Sequence, residues 1–436
     1  MKAAARRIVE KLRLHGYEAF FAGGWVRDHL LGRKPKDIDI ATSAHPNEVA
    51  RLFPRSRSIG AQFGVIQVLL YGHPYEVATF RSDQGYEDGR HPSAVTFSDP
   101  EQDALRRDFT INGLFFDPIS DRIVDFVDGQ KDLEARLIRT IGDPVKRFTE
   151  DKLRMLRAIR FSCALEFAIV PETWSAIREF APEILQVSWE RIRDELAKIL
   201  TGPAPGQGLS LLYLSGMLKH ILPEIEALQG VPRSLQSSPE PDLLTHTCLA
   251  LNYLRRPSVA LAFGALLHDV GKPDAVTSGN AELLKRHAEL GARKAEAVCR
   301  RLKMSNDESA RIVDLVSNHS QFGKVRQLRE SDLQRLLRRP GIEDNIELHR
   351  ADRISSGKDL DTYKFCIEKL EQYRQQPLPA PLLNGEDLIR MGYSPGPIFK
   401  EILRTLEDLQ LDGTISSREE AVAHVQASFP LTAENN

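Results

Sequence analysis

The 436-residue chain reads as an α/β head followed by an all-α remainder. Up to about Asp128, short β-type runs ("DIDIA", "GVIQVLLY", "YEVATF", "RIVDFV") alternate with helical stretches and loops. From about Pro144 onward this pattern stops, and amphipathic helices such as "EDKLRMLRAIRFSCAL", "SWERIRDELAKIL" and "GLSLLYLSGMLKHIL" follow one another. The length suits roughly two to four domains, each able to bury a core. A Pro/Ser-rich break at 229–242 ("QGVPRSLQSSPEPD") and a second at 374–385 ("RQQPLPAPLLNG") supply the internal boundaries. The expected segments are therefore a head at 1–143, a helical neck and body at 144–228, a third block at 229–373 and a helical tail at 374–436.

Composition removes several classes. With 42% hydrophobic and 28% charged residues the chain is neither a disordered acidic polymer nor a membrane protein. The longest apolar run, Val259 to Leu267, is too short to span a bilayer and reads as a buried helix. The N-terminal "MKAAARRIVEKLRLHGY" mixes charges with apolar positions at helical spacing, unlike a secretory signal, so a cytoplasmic location is expected. Cys163, Cys248, Cys299 and Cys366 have no paired spacing, which argues against a disulfide framework or a thiolate zinc site. The balance of 59 basic and 61 acidic residues neither demands nor excludes a nucleic-acid partner.

The most informative stretch is "GGWVRDHLLGRKPKDIDI", Gly23 to Ile40. Asp37 and Asp39 are two apart, so on a strand both carboxylates face one side and repel unless a cation lies between them. Mg²⁺ takes such oxygen ligands and shares its shell with substrate phosphates. A lone D-x-D is more often a solvated edge face, but its surroundings change the weighing. Gly23 and Gly24 let backbone amides approach phosphate, and Arg27 opens a helical stretch whose N-terminus also favours an anion. Asp28 reads as a residue that caps or orients the helix.

Three further motifs follow in order. In "RRDFTINGLFFDP" (Arg106 to Pro118), two cations precede an Asp, Thr and Asn able to bond a ribose or fix a loop. In "RFTEDKLRMLRAIRF", Asp151 and Arg154 sit at the i,i+3 spacing of one helical face, with Arg157 a turn further on. A surface ion pair is the ordinary fate of that spacing. The alternative is a reader of nucleobase edges, the carboxylate accepting from an exocyclic amino group while the guanidinium donates to the adjacent ring. The last motif is "SWERIRDELAKIL", Ser188 to Leu200.

From about Gly16 to Leu200 these motifs resemble the nucleotidyltransferases of the polymerase-beta superfamily, in the branch holding CCA-adding enzymes and bacterial poly(A) polymerases. The resemblance implies a head built on a small mixed β-sheet with helices, followed by neck, HD and tail domains. It also implies Mg²⁺ at Asp37 and Asp39, and nucleotide contacts by Gly24, Arg27 and Arg107. Sugar discrimination would fall near Asp108 and Asn112, a protein template to Asp151 and Arg154, and triphosphate contacts to Arg157 and Arg160. Glu76, on the strand "YEVATF", is the candidate third carboxylate. The segment "RSDQGYEDGRHPSAV" looks like the flexible loop of CCA-adding and A-adding enzymes.

A second constellation lies in the third block: His246, His268 and Asp269 in "LLHDVGKP", His287, His319 and Asp352. Any one histidine on a helix is more often a satisfied core or surface residue, whereas the full set suits a divalent transition metal such as Mn²⁺ or Ni²⁺. The order resembles that of HD-superfamily phosphohydrolases. By that resemblance His246, His268, Asp269 and Asp352 are the main ligands and His287 and His319 serve a second ion, with a 2',3'-cyclic phosphate at an RNA end as the fitting substrate. Lys272 would contact phosphate or remain a surface lysine.

Taken together, the expectation is a tRNA nucleotidyltransferase that adds or repairs the 3'-terminal CCA from CTP and ATP, with tRNA as partner and an HD phosphohydrolase attached. The competing readings are an A-adding enzyme, a poly(A) polymerase, or a metal phosphohydrolase whose head only binds nucleotide. No membrane partner is expected, and monomer and homodimer both stay open.

Overall fold

The computed structural model describes residues 1–35, 37–60, 64–86, 92–232, 242–277, 281–376 and 379–431. Contacts divide the chain into two units, Met1–Gln229 with Ala297–Asn306, and Gly230–Glu296 with Asp307–Asn436.

The head of the first unit is a mixed sheet. Its strands are β1 (Ala19–Ala22), β2 (Asp39–Thr42), β3 (Ser56–Gly60), β4 (Val65–Leu70) and β5 (His73–Thr79), with β6 (Arg81–Tyr86) and β7 (Pro92–Phe97) forming a separate hairpin before β8 (Phe115–Asp117) and β9 (Arg122–Val124). The order across the main sheet is β3-β4-β5-β2-β1-β8-β9. All pairs are antiparallel except β2 with β5, which run parallel with Ile40 beside Val77. One face packs Phe20, Phe80 and Phe115 together, with ring centroids about 6 Å apart (6.2, 6.0 and 5.9 Å). Strand alternation sends Phe21 and Ile40 to the opposite face, where the helix Lys2–Leu14 buries Ile8, Val9 and Leu12. The segment expected to be a flexible loop supplies both strands of the hairpin, and its residues 87–91 lie outside the described ones.

Helices dominate from Pro144, as the periodicity requires, with one difference. Ala168–Ile169 forms a two-residue strand parallel to Leu137–Ile138, stitching the head's end to the neck. The neck helices Leu153–Leu165 and Trp189–Leu200 pack on one another, and Gly208 of Pro205–Leu214 meets the second of them so closely that a Cβ would lie 2.3 Å from Ile199 Cγ2. Residues 297–306, part of the expected third block, group with this first unit. There Arg301 pairs with Glu224 at 2.6 Å and Arg193 donates to the Lys303 carbonyl at 2.7 Å.

The second unit is helical. Helices Leu243–Tyr253, Val259–Leu267 and Ile342–Ser355 pack together, and the tail has a core of its own around Leu388, Tyr393, Ile402, Leu406 and Val425. Most of the Pro/Ser break, 233–241, and residues 377–378 of the second break lie outside the described residues. All four cysteines are free thiols, and no described helix is long and apolar enough to cross a membrane.

Because Gly208 has no room for a side chain, Gly208→Ala should destabilise the first unit by about 1–3 kcal/mol through overpacking against Ile199. Urea unfolding of the variant beside the parent chain measures this.

Candidate functional site

The strand pairing builds the head's acidic corner. With Ile40 beside Val77 in parallel register, the preceding residues Asp39 and Glu76 are also neighbours on adjacent strands. Ile40 and Val77 are buried while Asp39 and Glu76 are exposed, so strand alternation turns both carboxylates outward; Asp37, expected on the same strand, lies two residues before β2 begins and is exposed there next to buried Ile38. Desolvation, the Glu76 carboxylate and Asp37 together push Asp39 up to about 6, against the pull of Arg107. Carboxylates crowded to that degree fit a hard divalent cation, which their all-oxygen donor set would hold.

Glycine is required next to this corner. Gly23 has φ +63°, and a Cβ there would fall 2.9 Å from Arg107 Nη1. The turn thus leaves space for Arg107, which lies over the Phe115 ring at 5.0 Å. Arg107 and Arg106 are both anchored by Asp103, a carboxylate only 1% exposed that sequence reasoning passed over. The helix Gly24–Leu30 presents Arg27, which donates to Asn112 Oδ1 at 2.7 Å and to Asp28. Asp28 thus orients Arg27 and makes no cap.

Asp108 is buried and paired with Arg157 at 2.8 Å, and its other oxygen accepts from Asn112 Nδ2 at 3.0 Å. Burial alone would raise its pKa, but Arg157 and the Asn112 amide hold it down at about 2. Arg157 reaches back from the helix Leu153–Leu165, so this pair locks the arginine motif to the neck. On the same helix Arg160 pairs with Glu195 at 2.6 Å and lies over the Phe161 ring at 4.0 Å.

The i,i+3 reading of Asp151 and Arg154 needs correction. Asp151 is not on the helix with Arg154: it ends the helix Pro144–Glu150 in extended conformation (φ −150°, ψ 104°), and Leu153–Leu165 begins after it. The two side chains do not pair. Arg154 is held by Glu150 at 2.8 Å and by the carbonyls of Arg147 and Arg106, and Asp151 by Arg191 at 2.7 Å. Both are therefore aimed from a kink. Glu150, Arg191 and Glu195 are partners that single-sequence reasoning missed. The only available signal was the i,i+4 spacing of Arg191 and Glu195 in "SWERIRDELAKIL".

In the second unit the other six predicted residues converge. His246, His268 and Asp352 form one trio and Asp269, His287 and His319 another, with ligand atoms of each within 4.8 Å of one another. Asp269 stands between them: Oδ2 is 3.3 Å from His268 Nε2, and Oδ1 is 3.7 Å from His319 Nε2. The ring orientations are fixed from behind. Nδ1 of His268, His287 and His319 each meets a backbone carbonyl (Ala265 at 2.8 Å, Leu284 at 2.6 Å, Val316 at 2.7 Å), while Nδ1 of His246 meets Ser355 Oγ at 3.1 Å. With protons on Nδ1, the Nε2 lone pairs of His246 and His268 face each other at 3.3 Å and those of His287 and His319 at 3.1 Å. Asp269 Oδ1 is buried without a hydrogen-bond partner.

Opposed lone pairs beside an unbonded carboxylate oxygen fit divalent cations. Burial pushes His319 down to about 3, which keeps it neutral and ready to ligate. Burial would raise Asp269, but His268 and Lys272 hold it well below the usual carboxylate range. Gly271 sets the spacing: its Cβ would lie 2.1 Å from the His287 carbonyl oxygen and 2.6 Å from Gly291 N, so the turn after the His-Asp pair touches the helix that starts at His287.

Similarity to known proteins extends over both units. Family profiles match residues 19–139 (poly A polymerase head domain), 166–229 ("probable RNA and SrmB-binding site of polymerase A") and 282–425 (tRNA nucleotidyltransferase domain 2). These define a nucleotidyltransferase. The CCA-adding enzyme of Geobacillus sp. (strain WCH70) is 33% identical over 95% of this chain and 94% of its own length. That of Levilactobacillus brevis is 45% identical over 217 residues, 50% of this chain and about half (54%) of the relative. The crystal structure of Bacillus stearothermophilus CCA-adding enzyme in complex with CTP superposes with a TM-score of 0.74 at 28% identity, covering 98% of each chain. The chain belongs to the CCA-adding enzyme family.

The Asp108–Arg157 pair carries a pH signature. A carboxylate held near 2 against about 3.9 when unfolded contributes stability that is complete above about pH 4 and lost as pH falls through 2. Asp108→Asn should therefore cost about 2 kcal/mol at pH 7, and the difference should shrink only below about pH 4. Denaturant midpoints across pH 2.5–8 would check the sign.

Proposed function

We propose that this chain adds or repairs the 3'-terminal CCA of tRNA, using CTP and ATP and no nucleic-acid template. The observation that carries the reading is the placement of Asp39 beside Glu76 on parallel strands, next to the Gly23 turn and Arg107. Family membership over 95% of the chain supports it.

The transfer forms a bond between the 3'-oxygen of the tRNA and the α-phosphorus, and breaks the bond from that phosphorus to the β-phosphate oxygen, so pyrophosphate leaves. Asp37, Asp39 and Glu76 would hold divalent ions, expected to be Mg²⁺, whose chemistry is to neutralise phosphate charge. Gly23 and Gly24 admit the triphosphate to the backbone, and Arg27 and Arg107 face it, with Arg157 and Arg160 further along. Asp108 and Asn112 act behind this surface, holding Arg157 and Arg27.

Base choice follows from hydrogen-bond polarity. C and A both present an exocyclic amino donor beside a ring-nitrogen acceptor, whereas U and G present a carbonyl beside a ring N–H. An ionised Asp151 accepts from the amino group and Arg154 donates to the ring nitrogen, so C and A fit and U and G meet like against like. The A-adding enzyme shares these groups and is the alternative that the assay below separates. A cytoplasmic site of action accords with a tRNA substrate.

A second activity rests on the convergence of His246, His268, Asp269, His287, His319 and Asp352. We propose a phosphohydrolase there, loaded with Mn²⁺, Ni²⁺ or a similar ion and acting on a 2',3'-cyclic phosphate at an RNA end. Asp269 would serve both ions, since its two oxygens face different trios. Lys272, 2.7 Å from Asp269 Oδ2, adds a cation where a phosphate would dock. In domain terms the head is 1–143, the neck 144–228, the HD block 229–373 and the tail 374–436, with 297–306 shared with the first unit.

Incorporation of CTP and ATP into tRNA transcripts ending at the discriminator base, at C and at CC tests the main reading. CCA on all three is expected, while extension of the CC end alone would make the chain an A-adding enzyme. Asp39→Ala should abolish incorporation and spare hydrolysis of a cyclic phosphate. His268→Ala or Asp269→Ala should do the reverse and lower bound Mn²⁺ or Ni²⁺ measured by elemental analysis.

A further inference from the structure

The helix Trp189–Leu200 carries two charged groups one turn apart, and both point at nucleotide-side residues. Arg191 Nη2 lies 2.7 Å from Asp151 Oδ2, and Glu195 Oε2 lies 2.6 Å from Arg160 Nε. The first contact joins residues forty apart in sequence, and both side chains are mostly covered, at 20% and 16% exposure. The other oxygen of Asp151 is engaged as well, Oδ1 accepting the Leu153 backbone N–H at 3.0 Å.

We infer that Arg191 is the positioning residue that makes Asp151 read only amino-bearing bases. This rests on Asp151 being a base reader, as set out above. A carboxylate oxygen has two lone pairs. Arg191 occupies one on Oδ2 and the backbone N–H of Leu153 occupies one on Oδ1, so the carboxylate is pinned at both oxygens and the one lone pair left on each has a fixed direction. Arg191 has no acceptor group and can only donate, so its contact with Oδ2 holds the Asp151 carboxylate in one orientation. A carboxylate free to rotate would lose its directed contact with the amino group of C or A, and with it the advantage of those bases over U and G; the bridge holds that contact in line. The other charged groups near Asp151 are Arg157 on the following helix and the Glu150–Arg154 pair beside it. Arg154 is held in the same manner by Glu150 and two backbone carbonyls, so each half of the reading pair has its own clamp.

The test compares kcat/KM for CTP against UTP, and for ATP against GTP, on tRNA transcripts with the full-length chain and its Arg191→Met, Arg191→Gln, Arg191→Lys and Asp151→Ala variants. Loss of the clamp should reduce discrimination against UTP and GTP by about tenfold or more in the Met and Gln variants, the scale of one well-made base contact. Arg191→Lys should recover most of it, because charge returns without the fork. If the Met variant does not fold, the Gln variant decides. An unchanged ratio in the Met or Gln variants, or an equal fall for all four nucleotides, overturns the inference. Asp151→Ala separates the layers: retained C and A choice there removes the base-reading assignment itself. Lost choice in Asp151→Ala with intact choice in the Arg191 variants removes only the role of Arg191.

Discussion

Like charges held side by side are the constraint around which the first unit is organised. Parallel pairing of β2 with β5 fixes Asp39 next to Glu76, and no rotamer can separate two side chains rooted on adjacent strands as far as solvent would. Desolvation first, and then the neighbouring Glu76 carboxylate, push Asp39 up to about 6. The nearest relief inside the protein is Arg107, and its position depends on Gly23 having no side chain and on Asp103 anchoring its guanidinium from below. Glycine turn, buried aspartate and arginine are thus parts of one electrostatic arrangement, and it remains under-neutralised until cations arrive.

Much of this was legible in the sequence because it depends on local spacing. Alternation around "DIDI" placed both aspartates on one face, and the strand "YEVATF" offered Glu76, although only register could bring it to Asp39. The six His and Asp positions of the helical block, proposed as ligands, were legible for a different reason: their number and order resemble the HD-superfamily pattern, and the fold brings them together in two trios. What stayed hidden was non-local. Nothing in "EDKLR" announces that the backbone breaks at Asp151, so a helical i,i+3 pair was the natural reading and the kink overturned it. Asp151–Arg191 and Arg160–Glu195 join residues 40 and 35 positions apart, which pattern reasoning cannot pair. Asp103 was invisible because a buried aspartate and a surface one look alike in sequence.

The two clusters of ligands differ in a way that matches their chemistry. In the head the proposed donors are carboxylate oxygens at exposed positions on the strands and just before β2. In the helical block the donors are mainly imidazoles; His246, His268, Asp269 and His319 are buried, and each imidazole is braced from behind by a carbonyl or by Ser355. Bracing of that kind fixes the tautomer before any ion binds, so little reorganisation is left to oppose binding.

Rigid reading of a base requires more than the two groups that touch it. A carboxylate and a guanidinium on flexible stems would each find several partners in a nucleobase, and selectivity would fall to what those alternatives allow. In this neck each of the two residues proposed as readers is held at a second point: Asp151 by Arg191 and the Leu153 amide, Arg154 by Glu150 and two carbonyls. Those clamps come from the kinked segment itself and from the helix Trp189–Leu200, whose face is buried through Ile192, Leu196 and Ile199. On the proposed base-reading role, the neck's hydrophobic packing would bear directly on base choice. It holds the helix that holds Arg191, and a loosened neck would be expected to misread before it ceased to transfer.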